Sequence, residues 1–257
     1  MIAAGLPLFV VTRILLTTFD PFGGSAANNS QAIGQLLQQH PEWMGSNVQV
    51  QVCNLPVVYD QGAAKAMDCI NQYKPDVVVS FGEADCSLRI ETAATNVDNT
   101  PGFPDNAGLV REGSAIVPGG PTRSAFNFPV ESLYCGLDSS SAPVQVSESP
   151  GAFVCNNVAY HLSQSMEARQ VPFTFIHVPN SECSAKAKDP LHNAQTVAQM
   201  LKSAIVQIDK SDVQTLGLMP ATADEAAKLL QTYKSEHATK CELNFATELK
   251  KAYSSNF

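Results

Sequence analysis

From Arg13 onward, short apolar runs alternate with longer stretches in which apolar residues recur every three or four positions. The first pattern predicts strands and the second predicts helices. Arg13–Thr18 reads as an apolar strand, closed by the tight loop Phe19, Asp20, Pro21, Phe22, Gly23 and Gly24. Asn28–Gln39 places Ile33, Leu36 and Leu37 on one helical face, with Asn29 or Ser30 as its cap. Val48–Leu55 alternates Val48, Val50 and Val52 with polar residues, the period of a strand with one polar face. Asp60–Tyr73 is a second helix, stopped by Pro75. Asp76–Gly82 (DVVVSFG) is apolar throughout, as a central parallel strand buried on both faces requires. Glu83–Pro129 reads as one long irregular region rich in Gly, Pro, Asn and Asp, and a loop of that length inside a domain points to function. Val144–Val146 and Phe173–Val178 are further strands. The helix Asp189–Ile208 gathers Ala194, Val197, Leu201, Ala204, Ile205 and Ile208 on one side, and Ala221–Tyr233 and Glu242–Tyr253 are two more helices, rich in Lys and Glu.

Such alternation predicts an α/β protein, a three-layer α/β/α sandwich around a central, largely parallel twisted sheet. Sites in these sheets lie at the strand carboxyl ends, so the loops after Thr18, Gly82 and Val178 should converge with the turn before Cys155. Three segments are expected: an N-terminal extension over 1–12, a main domain over 13–210 and a C-terminal helical extension over 211–257. Met1–Val11 is apolar but lacks the charged start of a secretory signal and carries Pro7, which favours a leading strand or an over-extended reading frame. No stretch approaches the roughly 20 apolar residues of a membrane helix.

Composition narrows the class. Hydrophobic residues make up 44% and charged residues 16%, an ordinary globular balance, and the net charge of -8 with no basic run argues against nucleic acid and anionic membranes as partners. The seven cysteines are scattered, odd in number and include no Cys-x-x-Cys pair. That spacing predicts neither a disulfide framework nor a zinc site, and it points to a reducing, cytoplasmic setting.

One cysteine stands apart. Pro150, Gly151, Ala152, Phe153 and Val154 form a small-residue turn before Cys155, and Val158, Ala159, Leu162 and Met166 follow at helical spacing. A thiol at a helix N-terminus lies among unpaired N–H groups at the positive end of the dipole, so its ionisation is expected below the ordinary value near ~8.5. A base is available in His177, which closes the apolar strand Phe173–Val178.

The segment Thr17, Thr18, Phe19, Asp20, Pro21, Phe22, Gly23, Gly24 with Asn28 and Ser30 resembles the opening of the pyroglutamyl peptidase I family of cysteine peptidases. Leu55, Pro56, Val57 and Tyr59, then Pro104, Asp105 and Asn106, then Gly119, Gly120 and Pro121, continue the likeness in order. Gly151–Asn156 and Phe175–Pro179 are similar to its cysteine and histidine segments, so the resemblance spans about residues 13–208. It implies a phosphorylase/hydrolase-like fold and a Cys, His, Glu triad that removes N-terminal 5-oxoproline from peptides without a cofactor or metal. The family glutamate lies five residues before an asparagine, a spacing that Glu91 and Asn96 keep. Cys155 is then the nucleophile, His177 the general base and Glu91 the orienting carboxylate. Backbone N–H groups at the helix start would meet the oxyanion, at about 3 kcal/mol per donor in comparable sites. Phe19, Phe22, Phe153, Val154, Asn28 and Glu83 take the substrate-binding positions. Glu91 has an alternative role in an ion pair with Arg89 or Arg111.

The chain also departs from the family. Glu83 stands where a neutral glutamine is usual, and an ionised carboxylate only accepts hydrogen bonds, which would disfavour a lactam carbonyl. Thr18 replaces a glycine, and the arginine of the usual glycine run is absent, with Arg89 the nearest substitute. A related amidase of altered acyl specificity, or a pseudo-enzyme with a binding role, is therefore the alternative. The expected partner is a small peptide substrate; self-association is left open.

Overall fold

The computed structural model describes residues 11–137, 144–210, 222–235 and 238–254. The leading strand anticipated within Met1–Val11 lies almost wholly outside them. In chain order the elements are β1 (Thr12–Phe19), α1 (Asn29–Gln39), a 3-10 turn (Pro41–Trp43), β2 (Val48–Leu55), α2 (Gln61–Tyr73), β3 (Val77–Glu83), β4 (Leu88–Glu91), β5 (Ala93–Thr95), β6 (Asp98–Asn99), β7 (Glu112–Ser114), β8 (Arg123–Ala125), α3 (Val130–Cys135), β9 (Val144–Ser147), α4 (Val154–Arg169), β10 (Phe173–Val178), α5 (Pro190–Lys210), α6 (Ala223–Ser235) and α7 (Lys240–Ser254).

The central sheet runs β2-β1-β3-β10-β4-β9. Its first four strands are mutually parallel, whereas β4 enters antiparallel to β10 and carries β9 parallel to itself. Residues 83–129 are thus not uniformly irregular, as the sequence pattern predicts. They hold β4 and two small hairpin-like pairs, β5 with β8 and β6 with β7. Strand alternation divides the core. Ile14, Leu16, Val77, Val79, Phe81, Ile176 and Val178 face a layer that includes α1, α3, α5 and α7, and Leu15, Val78, Phe173 and Phe175 face α2 and α4.

All cysteines but one are paired, which corrects the expectation of no disulfide framework. Cys53 bonds Cys69, Cys86 bonds Cys183 and Cys135 bonds Cys241, with Cα separations of 6.3, 5.4 and 5.7 Å. Two of the pairs join segments 97 and 106 residues apart, and none follows a Cys-x-x-Cys spacing, so linear spacing carried no sign of them. The reducing setting inferred from scattered cysteines loses its ground. Among the described residues, no helix is long and apolar enough to cross a membrane.

The last helices pack on the sheet domain. Phe245, Leu249 and Tyr253 of α7 are buried in the α1/α5-side core, Tyr253 Oη accepts from Arg123 Nη2 at 2.6 Å, and Cys241 ties α7 to α3.

Candidate active site

The site is built on the α4 face of three adjacent strands. His177 on β10 is the ladder partner of Gly82 on β3 on one side and of Arg89 on β4 on the other. Phe175, two residues earlier on the same face, lies opposite Glu91. Strands stand about 4.8 Å apart, so Gly82, His177 and Arg89 form a row across the sheet, with Glu91 beside it.

Cys155 sits in the first turn of α4 and covers Gly82. A Cβ on Gly82 would lie 2.9 Å from Cys155 Sγ and 2.9 Å from Phe175 Cζ, so only glycine lets the thiol rest against the strand there. The N-cap residue of α4, Phe153, makes no side-chain capping bond. The first helical N–H groups therefore surround the thiol without a side-chain competitor.

His177 is the ladder partner of the glycine that Cys155 covers. His177 Nδ1 is 2.7 Å from Glu91 Oε1, with the ring almost wholly buried and the carboxylate fully so. A donor at Nδ1 fixes the tautomer with Nε2 unprotonated, the form a general base requires. Arg89 Nε also donates to Glu91 Oε1 at 2.7 Å, and Arg89 Nη2 lies 3.3 Å from His177 Nδ1. Glu91 thus contacts both His177 and Arg89, but not Arg111. Its Oε2 is buried without a hydrogen-bond partner.

The thiol pKa runs opposite to the helix-terminus expectation. Burial of the sulfur pushes Cys155 up to about 12, Glu91 and Glu83 push it the same way, and Arg89 pulls it down. The residue is partly exposed, yet its sulfur is pressed against β3 and the Phe175 ring. Desolvation of the thiolate is the largest cause, so the proton must be taken by a base at the moment of attack.

Beside the thiol, Phe153 is the hub of an aromatic cluster. Its ring centroid lies 5.9 Å from Phe22, 5.6 Å from Tyr59 and 5.2 Å from Phe103. Flat walls of this kind suit a small flat ring. The loops converge as the sheet rule predicts: Asn106 Nδ2 donates to Pro21 O, Asn29 Nδ2 to Pro179 O, and Asn180 N to Asp85 O.

A family model described as pyroglutamyl peptidase matches residues 12–211. The chain belongs to that family. A pyrrolidone-carboxylate peptidase from Vibrio vulnificus (strain YJ016) is 28% identical over 206 residues, covering 79% of this chain and 95% of the relative. One from Enterobacter sp. (strain 638) is 30% identical over 212 residues, with coverage of 80% and 97%. Among solved structures, pyrrolidone carboxyl peptidase from Pyrococcus furiosus is 25% identical with a TM-score of 0.67, covering 77% of this chain and all of that one. Pyroglutamyl peptidase I from Bacillus amyloliquefaciens is 25% identical with a TM-score of 0.66, over 76% and 97%. Helices α6 and α7 lie beyond the residues matched to pyroglutamyl peptidase.

The remaining sequence-predicted residues fall into two groups. Phe22 and Phe153 line the aromatic cluster. Phe19 is buried beneath it, 6.4 Å from Phe175, and Val154 is wholly in the core. Asn28 is the N-cap of α1: its Oδ1 accepts from Ser30 N at 3.0 Å and its Nδ2 donates to Asp20 O at 3.1 Å. Both ends of that amide are committed within the loop.

The two departures from the pyroglutamyl peptidase pattern are resolved by strand alternation. Glu83 follows Gly82 and so points to the opposite face of β3, where Oε1 accepts from Asn29 N at 2.5 Å at the start of α1. Its pKa is raised, by burial first, with the Asn29 N–H opposing. Thr18 also faces α1; its Oγ1 donates to Asn54 Oδ1, and its Cγ2 occupies the space that a Cβ on Gly34 would need. The sequence reading missed the contributions of Gly82, Tyr59 and Phe103. The pairing of Arg89 with Glu91 was among the sequence alternatives, but their shared face depends on β4, which the sequence pattern left inside an irregular region. Among the described residues no cluster of His, Cys, Asp or Glu is arranged to hold a metal ion.

Proposed function

We propose that this protein is a cysteine exopeptidase, an omega peptidase that hydrolyses the bond after an N-terminal pyroglutamyl residue, with Cys155, His177 and Glu91 as its triad. The observation that carries this reading is the connected Glu91 Oε1 to His177 Nδ1 contact at 2.7 Å, in register with the glycine over which the sole free cysteine sits.

The steps follow from the residues. His177 Nε2 takes the thiol proton as Cys155 Sγ attacks the pyroglutamyl carbonyl. The oxyanion forms against backbone N–H groups at the start of α4, and Glu91 stabilises the imidazolium. Collapse breaks the C–N bond, and the imidazolium gives its proton to the leaving amine. Water then attacks the thioester, passing a proton to His177, and releases 5-oxoproline and the thiol. Phe22, Tyr59, Phe103 and Phe153 enclose the lactam ring.

Three disulfides favour an oxidising compartment over the cytoplasm as the place where the enzyme works.

The test is hydrolysis of a pyroglutamyl amide by the wild type, Cys155→Ser and His177→Ala. Cleavage by the wild type that falls at least about 10³-fold in both variants is expected. A folded wild type that leaves the amide intact, or a fully active Cys155→Ser, sinks the reading.

A further inference from the structure

Arg89 is placed as no surface ion pair needs to be. Its guanidinium has three partners: Glu91 Oε1 at 2.7 Å from Nε, Asp85 Oδ2 at 2.8 Å from Nη1, and His177 Nδ1 at 3.3 Å from Nη2. The side chain is only 21% exposed. Asp85 belongs to the loop that Cys86 bonds to Cys183, so the anchor at the far end of the guanidinium is itself tied down. When His177 carries its proton on Nδ1, that N–H donates to Glu91, and Nη2 has no lone pair on the ring to meet. The guanidinium then acts on the imidazole as a close positive charge, not as a hydrogen-bond donor.

We propose that Arg89 is a positioning residue that sets the working pH range: it holds the Glu91 carboxylate in line with His177 Nδ1 and offsets its charge beside Cys155. The proposal rests on the triad assigned above and deepens it.

The charged groups around the thiol are few. Glu91 and Arg89 come from β4, Glu83 from β3 and His177 from β10, with Asp85 behind Arg89. Burial, Glu91 and Glu83 oppose the thiolate, and Arg89 is the group among them that favours it. Without the guanidinium, the Glu91 charge is uncompensated. The thiolate then forms only at higher pH, which moves the alkylation midpoint up. His177 must be unprotonated to take the thiol proton, and loss of a positive charge 3.3 Å from its ring beside a bare carboxylate favours the protonated ring, which moves the acid limb of the rate profile up. A guanidinium that merely packs would lower the height of the profile and leave the acid limb in place.

The experiment compares wild type, Arg89→Gln and Arg89→Lys by two readouts: the pH dependence of kcat/KM on a pyroglutamyl amide, and the pH dependence of iodoacetamide alkylation of unreduced protein, in which Cys155 is the free thiol. Arg89→Gln should move the acid limb and the alkylation midpoint up by about one pH unit. Arg89→Lys keeps the charge and loses the fork, so its acid limb should stay within about 0.3 unit of wild type while kcat falls. An unmoved acid limb in folded Arg89→Gln, or a limb displaced in Arg89→Lys as far as in Arg89→Gln, overturns the proposal. If Arg89→Gln does not fold, Arg89→Lys decides alone: a displaced limb overturns it. If wild type leaves the amide uncleaved while the alkylation midpoint still moves, the peptidase reading fails and the role of Arg89 stands.

Discussion

Cys155 Sγ lies 2.9 Å from where a Cβ on Gly82 would stand, and Gly82 is the ladder partner of His177. The missing side chain on β3 brings the Cys155 sulfur down to the level of His177 on β10. Two elements remote in sequence, a helix start and a strand end, are thereby aligned through a third strand.

Gly82→Ala should therefore damage chemistry and stability together. The added methyl meets Sγ on one side and the Phe175 ring on the other, and overpacking of this kind costs about 1–3 kcal/mol. Urea denaturation and pyroglutamyl amide turnover measure the two effects. Wild-type turnover in the variant would show that the thiol does not depend on this seat.

The disulfides make a counting prediction. Native, unreduced protein should present a single thiol to an aromatic disulfide reagent, and reduced, denatured protein all seven. Replacing both Cys86 and Cys183 with Ala should cost about 2–4 kcal/mol, since the bond closes a long loop in the unfolded chain. Seven thiols in unreduced, denatured protein would remove the framework.

Glu83→Gln tests the substitution nearest the site. The folded pKa of Glu83 is raised, so its contribution to stability is fully present below the ordinary value near 4.5 and is lost as pH rises through the folded value. At neutral pH the ionised carboxylate is a liability that a glutamine lacks, while Gln Oε1 can still accept from Asn29 N. The variant should be at least as stable as wild type at pH 7, with a flatter stability profile above about pH 4.5. Amide turnover should change less than about threefold, because the side chain faces α1. A large gain in turnover would place Glu83 against the lactam instead.

Arg111 holds a second charged cluster, away from the triad. Its Nη1 donates to the fully buried Asp98 at 2.6 Å, its Nη2 to Asp60 at 2.5 Å, and its guanidinium lies 4.7 Å above the Tyr59 ring. Arg111→Met would leave the Asp98 charge with Asn157 Nδ2 as its remaining donor. The loss should be about 2–4 kcal/mol at pH 7, somewhat below that of a wholly buried pair because Asp60 faces water. Asp98 already has a raised pKa, chiefly from burial, so protonation should shrink the deficit at acid pH. Denaturation at two pH values measures this; an equal deficit at both would contradict it.

Much of the scaffold was legible because period and punctuation are local properties. Val48–Leu55 and Phe173–Val178 were bounded as predicted, and α1, α2 and α5 within two residues, since Pro, Asn and Gly mark their ends. β4 was not legible. Its four residues, Leu88–Glu91, are too few to establish a period, and they become a strand only by pairing with β10 and β9. The aromatic cluster was partly legible: Phe22, Phe153 and Tyr59 sit in family-like segments, though Tyr59 carried no assigned role there, whereas Phe103 joins them through folding of the 96–112 loop.

The sequence by itself determined the layered α/β fold, the thiol at the head of a helix, the histidine at a strand end and the glutamate at its family spacing. Those are statements about neighbours along the chain. Tertiary structure decided which cysteines are bonded, which face Glu83 and Thr18 present, and that burial pushes the thiol pKa up. It also decided that Arg89 stands opposite His177. Each of these depends on distances between segments remote in sequence, which the order of residues does not contain until the sheet sets its register.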